Sequence, residues 1–195
     1  MSMISLSRKE YLVGKLSRKP GSFEELPSEA IPLFDLYGLP VPNMSFVRFG
    51  HFNAYLYAAF RCFFREMPED VSGLYGNRVF RGECVELFLG GKKEYLELDV
   101  SPFGNRFYAL IRQEGEEHSA EELPLPVTTT EKWYNGCYEV VYRIPKEELS
   151  RFDELCFNAF RVEGVYHKER FSRAAFATNR PEHHVPESFG KLILE

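Results

Sequence analysis

Cys84-Val85-Glu86-Leu87-Phe88-Leu89-Gly90-Gly91-Lys92-Lys93-Glu94-Tyr95-Leu96-Glu97-Leu98-Asp99-Val100-Ser101-Pro102-Phe103-Gly104-Asn105 sets two alternating runs on either side of a Gly-Gly pair. Glycine adopts tight-turn backbone conformations at little steric cost, so the pattern predicts a β-hairpin. Successive side chains of a strand point to opposite faces. Val85, Leu87, Leu89, Leu96, Leu98 and Val100 therefore share one face, and Glu86, Tyr95, Glu97 and Asp99 share the other. The first set predicts a core face and the second a solvated face that carries carboxylates.

The same period extends outward from the hairpin. Phe52, Ala54, Leu56, Ala58, Phe60, Cys62 and Phe64 alternate with Asn53, Tyr55, Tyr57, Arg61 and Arg65, which predicts one long strand packed on one side. Arg106 to Arg112, Cys137 to Ile144 after the Asn135-Gly136 turn, Leu155 to Val162, Glu169 to Ala175 and Lys191 to Leu194 are further strand segments. Short strand pieces fit Tyr11-Leu12-Val13 and Ile31-Pro32-Leu33-Phe34 in a Pro-punctuated lead-in. Glu114, Glu116, Glu117, Glu121 and Glu122 read as a solvated acidic loop, closed by Pro124 and Pro126. Pro145-Lys146-Glu147-Glu148-Leu149 has the chemistry of a helical first turn. Eight or more short strands with almost no helix predict an all-β fold: a two-layer antiparallel β-sandwich, jelly-roll-like, with one or two short helical turns. A single domain over 1–195 is expected, with 1–30 as an irregular N-terminal lead-in.

Composition narrows the function. The chain has 195 residues, 44% hydrophobic and 15% aromatic, and a formal net charge of -5. That content supports a sizeable core, and the acidic balance offers no basic field for nucleic acid. No run approaches the roughly 18 apolar residues of a spanning helix and no leader is evident, so no membrane partner and a cytoplasmic location are expected. Cys62, Cys84, Cys137 and Cys156 each lie in an apolar alternating segment without metal-ligand spacing, which predicts buried free thiols. The Asn43-Met44-Ser45 sequon is read as a chance match.

Motifs for catalysis are missing. Gly90-Gly91-Lys92-Lys93 lacks the upstream Gly and the trailing Ser or Thr of a phosphate loop, and neither G-x-S-x-G nor H-E-x-x-H occurs. His183 and His184, as neighbours on an extended segment, would face opposite ways and would not converge on one ion. Glu97 and Asp99 with Tyr95 carry a glycosidase-like chemistry, but an exposed strand face alternates such residues without catalysis. The expectation is therefore no enzyme, no metal and no cofactor.

Five ordered motifs carry a family resemblance: a strand from Asn53 to Arg65; Val85 to Leu89 followed by Tyr95, Glu97, Pro102 and Gly104; Ile144-Pro145; Asn158 to Arg161; and His184, Pro186, Phe189 and Gly190. Together they make the chain resemble the family 9 carbohydrate-binding modules and the wider DOMON-like sandwich superfamily. The resemblance implies a non-catalytic module for a sugar or oligosaccharide end. It also implies that Glu86 and Arg161, with Asn158 and His184, hold hydroxyls in one concavity. Phe80 and Phe176 stand where binding members place tryptophans, and Trp133 and Tyr134 are the other ring candidates. A sugar presents an apolar face that stacks on a ring and a hydroxyl rim that takes charge-assisted hydrogen bonds. The superfamily also includes haem domains, so the alternative is a haem or redox module using Met67 or Met44 with His184 or His51. A protein-interaction sandwich that has lost ligand binding is the third reading. The Asp-rich loops of calcium-binding relatives are missing, and Asp70 has only Glu69 beside it.

Overall fold

The computed structural model describes residues 10–70, 78–115, 117–164 and 171–195. Among these residues the strands run β1 (Glu10–Val13), β2 (Ile31–Pro32), β3 (Phe34–Asp35), β4 (Ser45–Phe52), β5 (Tyr55–Phe63), β6 (Cys84–Gly90) and β7 (Glu94–Val100). They continue as β8 (Arg106–Glu114), β9 (Glu117–Glu122), β10 (Thr128–Tyr134), β11 (Cys137–Pro145), β12 (Cys156–Glu163), β13 (Phe171–Ala174) and β14 (Gly190–Leu194). The single α-helical turn among them, α1, is Lys146–Leu149. No described helix is long and apolar enough to cross a membrane.

The strands form two sheets. One has nine strands in the order β1-β14-β12-β6-β7-β8-β9, extended by β13 on β12 and β3 on β13; the other has five, β10-β11-β5-β4-β2. The fold is an all-β sandwich, and the parallel pairing of β1 with β14 makes the larger sheet mixed rather than purely antiparallel. Between the sheets Val85, Leu87, Leu89, Leu96, Leu98 and Val100 meet Leu56, Ala58, Phe60 and Cys62 of β5 and Tyr138, Val140 and Tyr142 of β11. These are the apolar faces that period-two alternation assigns to the core. The hairpin of β6 and β7 turns as expected. A Cβ on Gly90 would lie 2.8 Å from the Tyr95 Cα and 2.9 Å from the Phe152 ring, so the position admits only glycine.

Three expectations are corrected. The run from Phe52 to Phe64 is not one strand: β4 and β5 form a hairpin that turns at Asn53 and Ala54, with Asn53 in the left-handed region at φ 51°. Asn tolerates that conformation without the usual Gly or Pro marker, so the alternation runs through the turn unbroken. The acidic segment is not a loop, because Glu117–Glu122 forms the exposed edge strand β9 against β8. A strand solvated on both faces carries no apolar signal. Finally, the carboxylate face of the hairpin is not solvated: Glu86, Tyr95, Glu97 and Asp99 are all buried. A second cluster that includes Leu36, Phe88, Ile111, Phe160 and Phe189 covers that outer face.

Candidate functional site

Cross-strand register builds the site on the outer face of the nine-stranded sheet. Phe107 of β8 pairs with Asp99 of β7, Asp99 with Glu86 of β6, Glu86 with Phe160 of β12, and Phe160 with Ala174 of β13. Directly opposed residues share a face, so one transverse row reads ring, carboxyl, carboxyl, ring. The adjacent row adds Glu97 between Ala109 and Phe88. Phe80, in the 3-10 turn Val79–Arg81, packs edge-on against Phe107 with ring centroids 6.1 Å apart. Phe80 and Phe107 are both half-buried, and they form an aromatic wall at the Asp99 end of the row.

The irregular segment after β13 lies over the other end. His183 stacks on Phe160 at 4.5 Å and 10°, and its Nδ1 is 2.6 Å from Glu86 Oε2. His184 stacks on Phe88 at 5.0 Å and on His118 of β9 at 3.9 Å. Its Nδ1 lies 2.9 Å from the Tyr95 hydroxyl, and its Nε2 faces Glu97 Oε2 at 4.0 Å. The backbone here is irregular, so two sequence neighbours bring both rings down on one sheet face. No group of three or more His, Cys, Asp or Glu among the described residues has the geometry of a metal site.

Burial and neighbouring charge shift several groups of this cluster away from their ordinary values. Burial, then the charge of Glu86, pushes the Glu97 carboxyl up to about 8. Burial and the same two carboxylates raise Asp99 well above the carboxylate range. Asp99 is 0% exposed, and apart from the hydrogen bond it shares with the Glu97 carboxyl its oxygens have no partner among the described residues. Burial, with His118 and His183 nearby, lowers His184 to about 3, so its ring is neutral. A neutral ring can accept the Tyr95 hydroxyl proton at Nδ1 in the tautomer that carries its own proton on Nε2, or donate from Nδ1 to the Tyr95 oxygen in the other.

The residues expected to share a concavity are separated. Glu86, His184 and Phe80 lie on the outer face, and Phe107, Asp99, Glu97 and His183 join them. Arg161 does not: it pairs with Val85 rather than with Glu86, so its side chain enters the sandwich interior. There its Nε donates to Glu83 Oε1 at 2.7 Å, and Nη1 donates to Ser45 Oγ at 3.0 Å and to the Phe63 carbonyl at 2.7 Å. Tyr138 and the Gly164 amide complete the bonding of Glu83. Asn158 does lie on the outer face, but its Nδ2 donates to the Phe176 carbonyl and to Ser188 Oγ while its Oδ1 accepts from the Phe176 amide. It anchors the chain around Phe176 and Ser188. Phe176 is buried in the main core against Phe157 and Tyr11. Trp133 packs on Phe64, Phe103 and Tyr138 and donates to the Pro102 carbonyl, away from the row, and the Tyr134 hydroxyl donates to Glu139.

The residues proposed for haem are not assembled either. His51 is on β4 of the other sheet, held by Lys146 and the Glu195 carbonyl, and among the described residues no hydrogen bond or ring contact joins a methionine to His51 or His184. Met44 and Met67 are exposed.

Solved structures share this architecture along nearly its whole length. A protein from Bacteroides uniformis, named for an inferred carbohydrate-binding role, superposes with a TM-score of 0.73 at 18% identity, covering 97% of this chain and 100% of its own. A carbohydrate-binding module of family 9 from Caldicellulosiruptor kristjanssonii, in complex with cellotriose, gives a TM-score of 0.68 at 14% identity over 95% of this chain and 93% of its own. The fold is that of the family 9 carbohydrate-binding modules. A family 9 module from the same organism in complex with glucose agrees at a TM-score of 0.61, 14% identity, and coverage of 94% and 95%. No protein-family model matches the sequence, and no curated protein matches it.

Proposed function

We propose that this chain is a non-catalytic module that holds a sugar or the end of an oligosaccharide on the outer face of its nine-stranded sheet. The observation that carries this reading is the row Phe107, Asp99, Glu86 and Phe160, with Phe80 beside Phe107. Aromatic rings offer a face for the C–H surface of a sugar, and the carboxyl groups between them offer acceptors for its hydroxyls. The family 9 fold supports it, because two neighbours with that fold hold cellotriose and glucose. The chain's own His183 already takes such a pose, one ring flat on another with its polar edge at a carboxylate.

Titration calorimetry against glucose, cellotriose, glucosamine and their oligomers tests the reading. Saturable binding to at least one of them is expected. Glu86→Ala should weaken it at least tenfold, and so should Phe107→Ala, with the protein still folded by circular dichroism. Failure of every sugar in the panel to bind, or full retention of binding in both variants, overturns it.

A further inference from the structure

The chemistry of the outer face also restricts what kind of sugar it suits. Three carboxyl side chains, Glu86, Glu97 and Asp99, sit on two adjacent strands, and no Lys or Arg among the described residues pairs with any of them. The nitrogens that meet Glu86 and approach Glu97 come from His183 and His184. Asp99 is completely buried, and the carboxyl of Glu97, which shares a hydrogen bond with it, is the one partner of its oxygens among the described residues, so no cation meets it. A buried carboxyl in this state stays protonated for want of a counter-charge, and an uncompensated buried polar group is costly. An ammonium group carries three donors and the missing positive charge, whereas a neutral hydroxyl supplies one donor and none of the charge.

We propose that this face selects an amino sugar, alone or at the end of a short oligomer, whose protonated amine lies between Asp99 and Glu86 while its ring rests against Phe107 and Phe80. This inference rests on the sugar-binding reading and narrows it to one ligand class. The proton balance follows directly. The ligand enters as an ammonium, a carboxylic acid in the cluster gives up its proton to solvent, and an ammonium–carboxylate pair remains. Glu97 and Asp99 are the acids available, since burial and the charge of Glu86 raise both above the ordinary carboxylate value and Glu97 raises Asp99 further. Their titratable neighbours are Glu86 and Cys84 on β6, with the phenols of Tyr108 and Tyr142 also in electrostatic reach of Asp99. His183 faces Glu86 and acts on Glu97.

Calorimetry at neutral pH in two buffers of different ionisation enthalpy separates the cases. Glucosamine and its oligomers should bind at least tenfold more tightly than glucose, cellotriose or N-acetylglucosamine, with release of up to one proton per ligand. Asp99→Asn, nearly isosteric and free of the buried acid, should collapse both the preference and the proton release. Glu97→Gln provides a second variant should Asp99→Asn fail to fold. Equal affinity for glucose and glucosamine, or equal preference in both variants, overturns this inference and leaves the sugar-binding reading standing. Binding of ethanolamine as tight as that of glucosamine also overturns it, because the site would then read charge alone. Failure of every sugar to bind overturns both readings.

Discussion

Arg161 shows how a single side chain is assigned by its neighbours rather than by its position in a motif. It is a wholly buried cation whose guanidinium bridges Glu83, Ser45 and the Phe63 carbonyl, and with them the two sheets. A pair of this kind adds little net stability over an apolar replacement of the whole pair, but removing one partner strands the other charge. Arg161→Ala should therefore cost about 3–5 kcal/mol in denaturant unfolding, because Glu83 is left buried without its cation. A change below about 1 kcal/mol would show that the clamp is not formed. The face on which Arg161 lies was legible in the sequence. Asn158 and Arg161 are three residues apart, and an odd separation on a strand puts two side chains on opposite faces. The site reading of both residues came from the resemblance, which does not test parity.

The element that decides the chemistry is the irregular stretch between β13 and β14, since its two histidines convert an expected solvated face into a buried cluster. Period-two alternation locates a core face and a second face, but it cannot show that a distant coil covers the second. Phe107, His183 and His118 were missed as site residues for that reason, although cross-strand pairing finds them once register is known. The covering has a measurable pH signature. Glu97 ionises at about 8 in the folded chain against an ordinary value of 4.5, so the native state holds a proton that the unfolded chain has lost. Its stabilising contribution is complete below 4.5 and is lost as pH rises through 8, and Asp99 acts in the same direction. His184 works on the acid side. Its native value of about 3 lies below the ordinary 6.5, so its contribution is present above 6.5 and is lost as pH falls toward 3. Between pH 6.5 and 8 the carboxyls act without opposition from His184. Unfolding free energy should then fall with pH by up to about 1.4 kcal/mol per unit for each proton held. The double variant Glu97→Gln, Asp99→Asn should flatten that slope in urea melts at each pH. An unchanged slope would place its origin elsewhere in the molecule.

At the scale of the whole molecule, the sandwich was legible because each central strand buries one clean apolar face, as in Val85-Leu87-Leu89 against Leu56-Ala58-Phe60. The parts that were not legible lie at edges and corners, such as β9 and the β4–β5 turn, where burial is one-sided or absent. The four cysteines sample this architecture at different depths. Cys62 lies in the core between the sheets and Cys84 on the outer face, packed with Val79 and Val162 and with its thiol 3.8 Å from the Glu86 carboxylate that His183 caps, both with no exposure, whereas Cys137 opens β11 beside the Gly136 turn and is 8% exposed. Burial raises the thiol of Cys62 to about 11 and that of Cys84 well above its ordinary value, so neither forms appreciable thiolate while the chain is folded. With an aqueous disulfide reagent in the absence of denaturant, Cys137 should react first, by local opening near its turn. Cys62 requires the sheets to part, so its rate should rise with urea along the slope of global unfolding. Cys84 discriminates between two mechanisms. If the outer-face cover is part of the same cooperative unit, Cys84 follows Cys62; if the cover opens alone to admit a ligand, Cys84 reacts faster than Cys62 at low urea. A site closed over by His183 and His184 needs such opening, so mass spectrometry of the labelled thiols should find Cys84 ahead of Cys62. Equal rates for the two would mean that no independent opening exists and would remove the route by which a sugar reaches Asp99.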